Sequence, residues 1–286
     1  MPYVDPFLQI KTAYNTFTAS HKKLADFVME NPEFVLHNSI SDVAVTCKIA
    51  EATVSRFCKL LGYKGFHDFK ISVARSLSDM SQASREPYDQ LPAAEKQVRT
   101  TAQFLLSTNI QALNETSQLL SEKELRRAVD LLISAKHIMF LGIGASLISA
   151  MQGYHKFLRI TSNVSINMES HMQFMAASLV SSEDVAVVIS HSGSTKEIVD
   201  LAKKVKERGA KVICITHYQK SPLTKHSDVT LLYSSDEQLF YGYSISASAA
   251  QAYLMDLLYI EFYNSSQEEH RKNQEDSSSI LLDKLY

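Results

Sequence analysis

From residue 137 onward the chain alternates short apolar runs with amphipathic stretches, and this alternation confines its second half to a small set of folds. The runs are HIMFLGIG, NVSINM, DVAVVIS, KVICITH and VTLLYS. Apolar runs this short, without strict polar alternation, read as strands covered on both faces, the signature of a parallel sheet. The segments starting near Leu147, His171, Lys196 and Ser244 have helical spacing and supply the crossovers. The expected fold of this half is a three-layer α/β domain with a five-stranded parallel sheet.

The first half has a different texture. Helices are predicted near Pro6 to Thr16, after a cap at Ser20, from Ser41 to Thr46, from Glu51 to Leu61 closed by Gly62, and from Phe66 to about Asp79. In the second of these Leu24, Phe27 and Val28 share a face and Asn31-Pro32 ends the run. Residues 1–78 read as an all-helical domain. The stretch SLSDMSQASREPYDQLP is serine- and proline-rich, which marks 79–92 as a linker. Connecting helices occupy 93–136, where Ser121 and Glu124 form a capping-box pattern. The α/β domain covers 137–264, and 265–286 is a polar tail whose apolar end, ILLDKLY, is expected to dock on a neighbour or fray.

Length and composition agree with two domains and exclude several classes. The chain has 286 residues, 45% hydrophobic and 21% charged, with a formal net charge of −2. Three scattered cysteines form no CxxC pair, which argues against a disulfide framework or zinc site and for a reducing compartment. The N-terminus carries no basic segment followed by an apolar core, and no run of 18 apolar residues occurs. A cytoplasmic protein without a membrane partner is expected.

A global charge near zero means that any nucleic-acid signal must be local. Within SDVAVTCKIAEATVSRFCKLL two helices can pack across a tight turn, with Ala44 permitting close approach and Ile49 filling the corner. Val54, Phe57, Cys58 and Leu61 make one buried face. The other face offers Ala52, Thr53, Ser55, Arg56 and Lys59, with Lys64 just beyond: short side chains at the entering end, hydroxyls, and cations for phosphate or guanine. From Lys48 to Arg75 six cations stand against Glu51 and Asp68, a local +4. The same pattern also suits a helical hairpin with a solvated basic face.

Two glycine-bearing turns follow strands in the second half. HIMFLGIG leads into GIGASLISA, where Gly144 and Ser146 open a helix. A dinucleotide fingerprint would need a third glycine where Leu147 stands, so a nucleotide cofactor is disfavoured and no cofactor is expected. DVAVVIS leads into SHSGST, which places Ser190, Ser192, Ser194 and Thr195 around Gly193 at a helix start. Hydroxyls, helix-start N–H groups and the positive dipole end together suit a phosphate. Ser194 with Glu197 also fits an ordinary capping box. Glu169, His171, His191 and His217 fall near strand carboxyl ends, where they could touch a sugar or act as acid and base. His155 and Lys156 read as surface or interface.

The stretch TVSRFCKLLGYKGFHDFK resembles the RpiR family of bacterial transcriptional regulators through Thr53, Val54, Arg56, Phe57, Leu61, Gly62, Gly65, Phe66 and Phe69. The family's usual Gly-Val-Ser turn is replaced by Lys48, Ile49 and Ala50. The paired turns GIGAS and SHSGST, followed by Ser221, Pro222, Leu223 and Asp228, resemble a SIS phosphosugar-binding domain, which RpiR regulators join to a helix-turn-helix. This resemblance spans nearly all of residues 1–264. It implies that Ser146, Ser190, Ser192 and Thr195, with Gly144 and Gly193, hold an effector phosphate, and that Glu169, His171 and His191 lie near the sugar. It also implies a non-enzymatic regulator of sugar or amino-sugar genes. A homodimer or homotetramer on a palindromic operator in duplex DNA is expected. The rivals are a phosphosugar isomerase with an accessory helical domain and a sensor whose helical domain binds protein.

Overall fold

The computed structural model describes residues 5–81, 98–235 and 244–282. Its packing divides the chain into two compact units, Met1–Ser107 and Thr108–Tyr286. The expected linker at 79–92 lies outside the described residues except for 79–81, which continue a helix.

The first unit contains α1 (Pro6–Ala13), α2 (Ala19–Glu30), α3 (Pro32–His37), α4 (Ile40–Thr46), α5 (Glu51–Leu60) and α6 (Phe66–Ser81). Asp5 caps α1 by accepting from the Phe7 and Leu8 amides. Thr18, not Ser20, caps α2 through the His21 amide. A helix starts where its first amides find an oxygen, and Thr18 supplies one two residues earlier. Asn31 ends α2 as expected, but Pro32 then opens α3, because a proline at the first helical position loses no intrahelical bond. Ser39 and Asp42 form a reciprocal capping box, so α4 begins at Ile40 rather than Ser41. The core gathers Leu24, Val28, Val35, Val43 and Val73 around the rings of Phe17, Phe57 and Phe69. Phe57 lies 5.2 Å from Phe17 and 6.2 Å from Phe69, ring centre to ring centre.

The division between units falls within α7 (Val98–Leu119). The second unit then runs α8 (Glu122–Ser134), β1 (His137–Gly142), α9 (Ala145–Leu158), β2 (Val164–Ile166), α10 (Ser170–Leu179), β3 (Asp184–Ile189), α11 (Lys196–Glu207), β4 (Lys211–Thr216), β5 (Val229–Leu232), α12 (Ile245–Ser265) and α13 (Gln267–Leu282). All pairings in the five-stranded sheet are parallel and the order is β2-β1-β3-β4-β5. Alternate residues of one strand enter different cores. Ile138 and Phe140 join α8, α9 and α12 on one face, whereas Met139 and Leu141 join α10 and α11 on the other. Burial on both faces is why the strands read as continuous apolar runs.

Residues 267–282 form α13, which packs on its own domain; the end of ILLDKLY lies outside the described residues. Asn273 Nδ2 donates to the Ile160 carbonyl at 2.9 Å and Ser277 Oγ to the Arg159 carbonyl at 3.0 Å. These carbonyls lie at and just past the C-terminal cap of α9, where no intrahelical partner exists. His270 is buried, its ring stacked on Phe262 at 4.8 Å.

Candidate functional site

The sheet order reverses direction between β1 and β3, so the connections after these strands leave in opposite directions, the position at which open α/β sheets take their ligands. Gly142 pairs with Ile189 at the last register position, which brings the turns after both strands to one sheet edge. Gly144 precedes α9 at φ +59° and Ser146 lies in its first turn. Ser190, Ser192, Gly193 and Thr195 follow β3 directly.

Within the second turn the hydroxyls hold backbone. Ser190 Oγ accepts from the Gly193 amide and Ser192 Oγ from the Ser194 amide, each at 3.2 Å. A serine oxygen that accepts an amide keeps its own O–H to donate. The capping box expected from Ser194 and Glu197 does not form. Ser194 Oγ donates back to the Ser192 carbonyl, the cap position belongs to Thr195, and the Thr195 side chain bonds none of the first-turn amides. Those amides are left to face an outside acceptor at the positive end of a twelve-residue helix. Gly193 sits at φ +59°, and a Cβ there would lie 2.2 Å from Ser221 Oγ. The Leu223 amide donates to the Gly193 carbonyl at 2.9 Å, fastening the turn to the β4–β5 connection.

The other expected ligand-side residues separate into different roles. Glu169 is the cap of α10, accepting from the His171 and Met172 amides at 3.0 Å each. The His171 amide bond, joined by the Met172 amide, holds its carboxyl below the usual range against an opposing effect of burial. His171 is exposed beside it. His191 places Nδ1 2.8 Å from the Tyr233 hydroxyl and stacks on His217, 5.2 Å between ring centres. His217 itself is fully buried. Asp228 secures the β4–β5 connection: it pairs with Lys206 at 2.8 Å and accepts from the Val212 amide.

Several supporting residues carried no motif in the sequence. Gln173, Tyr233 and Gln251 are buried polar groups whose partners come from distant elements. Only the presence of a polar residue within an apolar helical stripe, as at Gln173 and Gln251, could have flagged them. His155 is exposed on α9, and Lys156 pairs with Asp256 of α12.

In the first unit α4 and α5 meet across Cys47 to Ala50. The Ile49 amide donates to the Ala44 carbonyl at 2.9 Å, and Lys48 takes φ +51°. Ala50 opens α5 without a side-chain bond. Val54, Phe57, Cys58 and Leu61 are buried, while Ala52, Arg56 and Lys59 are exposed and Thr53 and Ser55 half-buried. Lys64 is exposed, its amide held by Asp68. Lys70, counted among the local cations, donates Nζ to the Asn38 carbonyl at 2.9 Å and is committed to the fold. Burial and the nearby Arg56 charge hold His21 below its usual pKa.

Comparison with known proteins agrees with this arrangement. Residues 6–80 match the model of the helix-turn-helix domain of the rpiR family, and residues 131–261 that of the SIS domain. A helix-turn-helix transcriptional regulator of Caldanaerobacter subterraneus subsp. tengcongensis is 33% identical over 277 residues, 97% of each chain. The regulator HexR of Pseudomonas aeruginosa is 34% identical over 223 residues, 78% of this chain and 76% of HexR. The structure of Vibrio vulnificus NanR in complex with ManNAc-6P matches with a TM-score of 0.62 at 25% identity, covering 98% of this chain and 99% of NanR. SIS-fold neighbours also include a sugar-phosphate isomerase homologue from Listeria monocytogenes, at 20% identity and a TM-score of 0.57, which shows the fold alone. The chain belongs to the RpiR family of transcriptional regulators, with an N-terminal helix-turn-helix and a C-terminal SIS domain.

Proposed function

We propose that the chain is a one-component regulator of sugar or amino-sugar genes whose operator binding responds to a phosphosugar held where β1 and β3 diverge. The observation that carries this reading is the turn after β3, whose hydroxyls do not cap α11 although they stand at its start. Ser190 and Ser192 keep O–H groups to donate, and Gly144 and Ser146 lie at the same sheet edge. Phosphate suits such a set, since charge-assisted bonds from hydroxyls and helix-start amides need no cation. The ManNAc-6P bound to NanR supports the same ligand class.

In this reading 1–78 bind DNA, 79–92 link, 93–136 connect and 137–264 hold the effector. Thr53, Ser55, Arg56, Lys59 and Lys64 face duplex DNA. One short recognition helix reads few base pairs, so a homodimer or homotetramer on a palindromic operator follows. The site is non-catalytic: a carboxylate that caps a helix and is held below its usual range, as Glu169 is, makes a poor general base.

The test is a thermal-shift screen of ketose, aldose and N-acetylhexosamine 6-phosphates, followed by operator titration with and without the best binder. A ligand at 100 times its Kd adds about 2.7 kcal/mol of stability. Replacing Ser190 and Ser192 together with alanine should weaken the phosphosugar at least tenfold and leave operator affinity without effector within twofold. An unchanged response in the double variant would move the phosphate elsewhere, and turnover of any panel member would overturn the non-catalytic reading.

A further inference from the structure

This inference rests on the phosphosugar reading and names the residues that pass the occupancy of that site onward. Tyr233 and Ser234 follow β5 and are fully buried. Tyr233 is fastened to the turn after β3. Its hydroxyl lies 2.8 Å from His191 Nδ1, and its amide donates to the Thr216 carbonyl at 3.1 Å. The His191 carbonyl in turn accepts from the His217 amide and from Thr216 Oγ1, both at 3.1 Å. His191 is the residue between Ser190 and Ser192, so its peptide cannot move without moving the strand end that carries Tyr233. Behind the ring, Gln251 Nε2 of α12 donates to the Tyr233 hydroxyl at 2.6 Å, and Gln251 Oε1 accepts from Ser149 of α9.

Ser234 is fastened to α7. Its amide donates to Thr116 Oγ1 at 3.0 Å and its hydroxyl to Glu115 Oε2 at 2.6 Å. The other Glu115 oxygen accepts from Gln111 Nε2 at 2.6 Å, and Thr116 Oγ1 donates to the Ala112 carbonyl at 2.6 Å. Both residues that hold Ser234 therefore sit on the helix within which the two units divide. Neighbouring residues of an extended segment point to opposite sides. Tyr233 and Ser234 thus join the turn after β3 to α7 through hydrogen bonds made by two adjacent residues.

We propose that Tyr233 and Ser234 are positioning residues that carry the state of the turn after β3 to α7, with Glu115 and Thr116 as the receiving side chains. A ligand biases an equilibrium only through differential affinity, so breaking this path should separate binding from response.

The test uses the full chain with Thr116→Val, Glu115→Gln and Tyr233→Phe, the 6-phosphate panel, and operator DNA. Phosphosugar Kd is measured by calorimetry, which also confirms a folded effector site in each variant. In Thr116→Val and Glu115→Gln the Kd should stay within threefold of wild type, while the effector-driven change in operator affinity falls from at least tenfold to below threefold. Tyr233→Phe keeps the ring, loses the hydroxyl and should weaken the phosphosugar at least threefold. A wild-type response in Thr116→Val and Glu115→Gln overturns the proposal alone. A wild-type chain that binds no panel member overturns the phosphosugar reading, and the proposal with it.

Discussion

The Gln173 side chain grips Gly142 from both sides: its Nε2 donates to the Gly142 carbonyl at 2.9 Å and its Oε1 accepts the Gly142 amide at 3.4 Å. Gln173 belongs to α10 and Gly142 is the last residue of β1, so a helix reached only after β2 aligns the turn that precedes α9. Among described residues Gln173 is 1% exposed.

Truncation at this position leaves buried backbone groups short of a partner. Gln173→Ala should cost about 1–3 kcal/mol of stability. It should also weaken the phosphosugar, because the Gly144 and Ser146 turn loses its brace. Urea denaturation with calorimetry checks both, and an unchanged midpoint would show that water replaces the amide fully.

Lys48 stands at φ +51°, in a region L-residues avoid because Cβ crowds the backbone carbonyl. Lys48→Gly should stabilise the chain by about 1 kcal/mol, the relief of left-handed strain less the added freedom of the unfolded glycine. Thermal unfolding tests this, and a lower midpoint would mean that the lysine side chain makes a stabilising contact.

Arg56 and Lys59 are exposed on α5, away from the buried Val54, Phe57 and Cys58. Arg56→Ala should weaken operator binding by about 1–3 kcal/mol if the guanidinium reads a base, with relaxed preference at one operator position. Lys59→Ala should act alike on all sequences and lower the salt slope by about one. Operator titrations at several salt concentrations separate the two, and equal losses on operator and random DNA for both variants would assign Arg56 to phosphate.

Burial pulls the Asp228 carboxyl upward, but the Lys206 hydrogen bond, the Val212 amide and the Lys206 and Lys211 charges outweigh it and hold it below its usual range. A depressed folded value means that the unfolded chain takes up the proton first. The Asp228 contribution is therefore complete above the unfolded carboxylate value of about 3.9 and is lost as pH falls through the lower folded value. Stability measured from pH 6 downward should fall less steeply in Asp228→Asn than in wild type over that window. Parallel profiles would show that the carboxylate has no net linkage.

Much of the local structure is legible along the chain. Val54, Phe57, Cys58 and Leu61 recur at helical spacing, and a helix with that stripe must bury it. The five apolar runs lack an exposed face, so they had to become a sheet covered on both sides, and the SHSGST turn shows its hydroxyls and glycine directly in the sequence. Local competition was harder to read, because Thr18 and Ser20, or Ser194 and Thr195, offer similar side chains within two residues, and the choice between them lies in backbone geometry. The other positions depend on contacts between segments far apart in the chain. Gln173, Tyr233, Gln251 and Glu115 act through partners 18 to 119 positions away in the chain. A hydrogen bond needs donor and acceptor about 3 Å apart, and no periodicity encodes such a meeting. Only the closing of the sheet, which lays β1 beside β3 and the end of β5 beside α7, puts those atoms within reach.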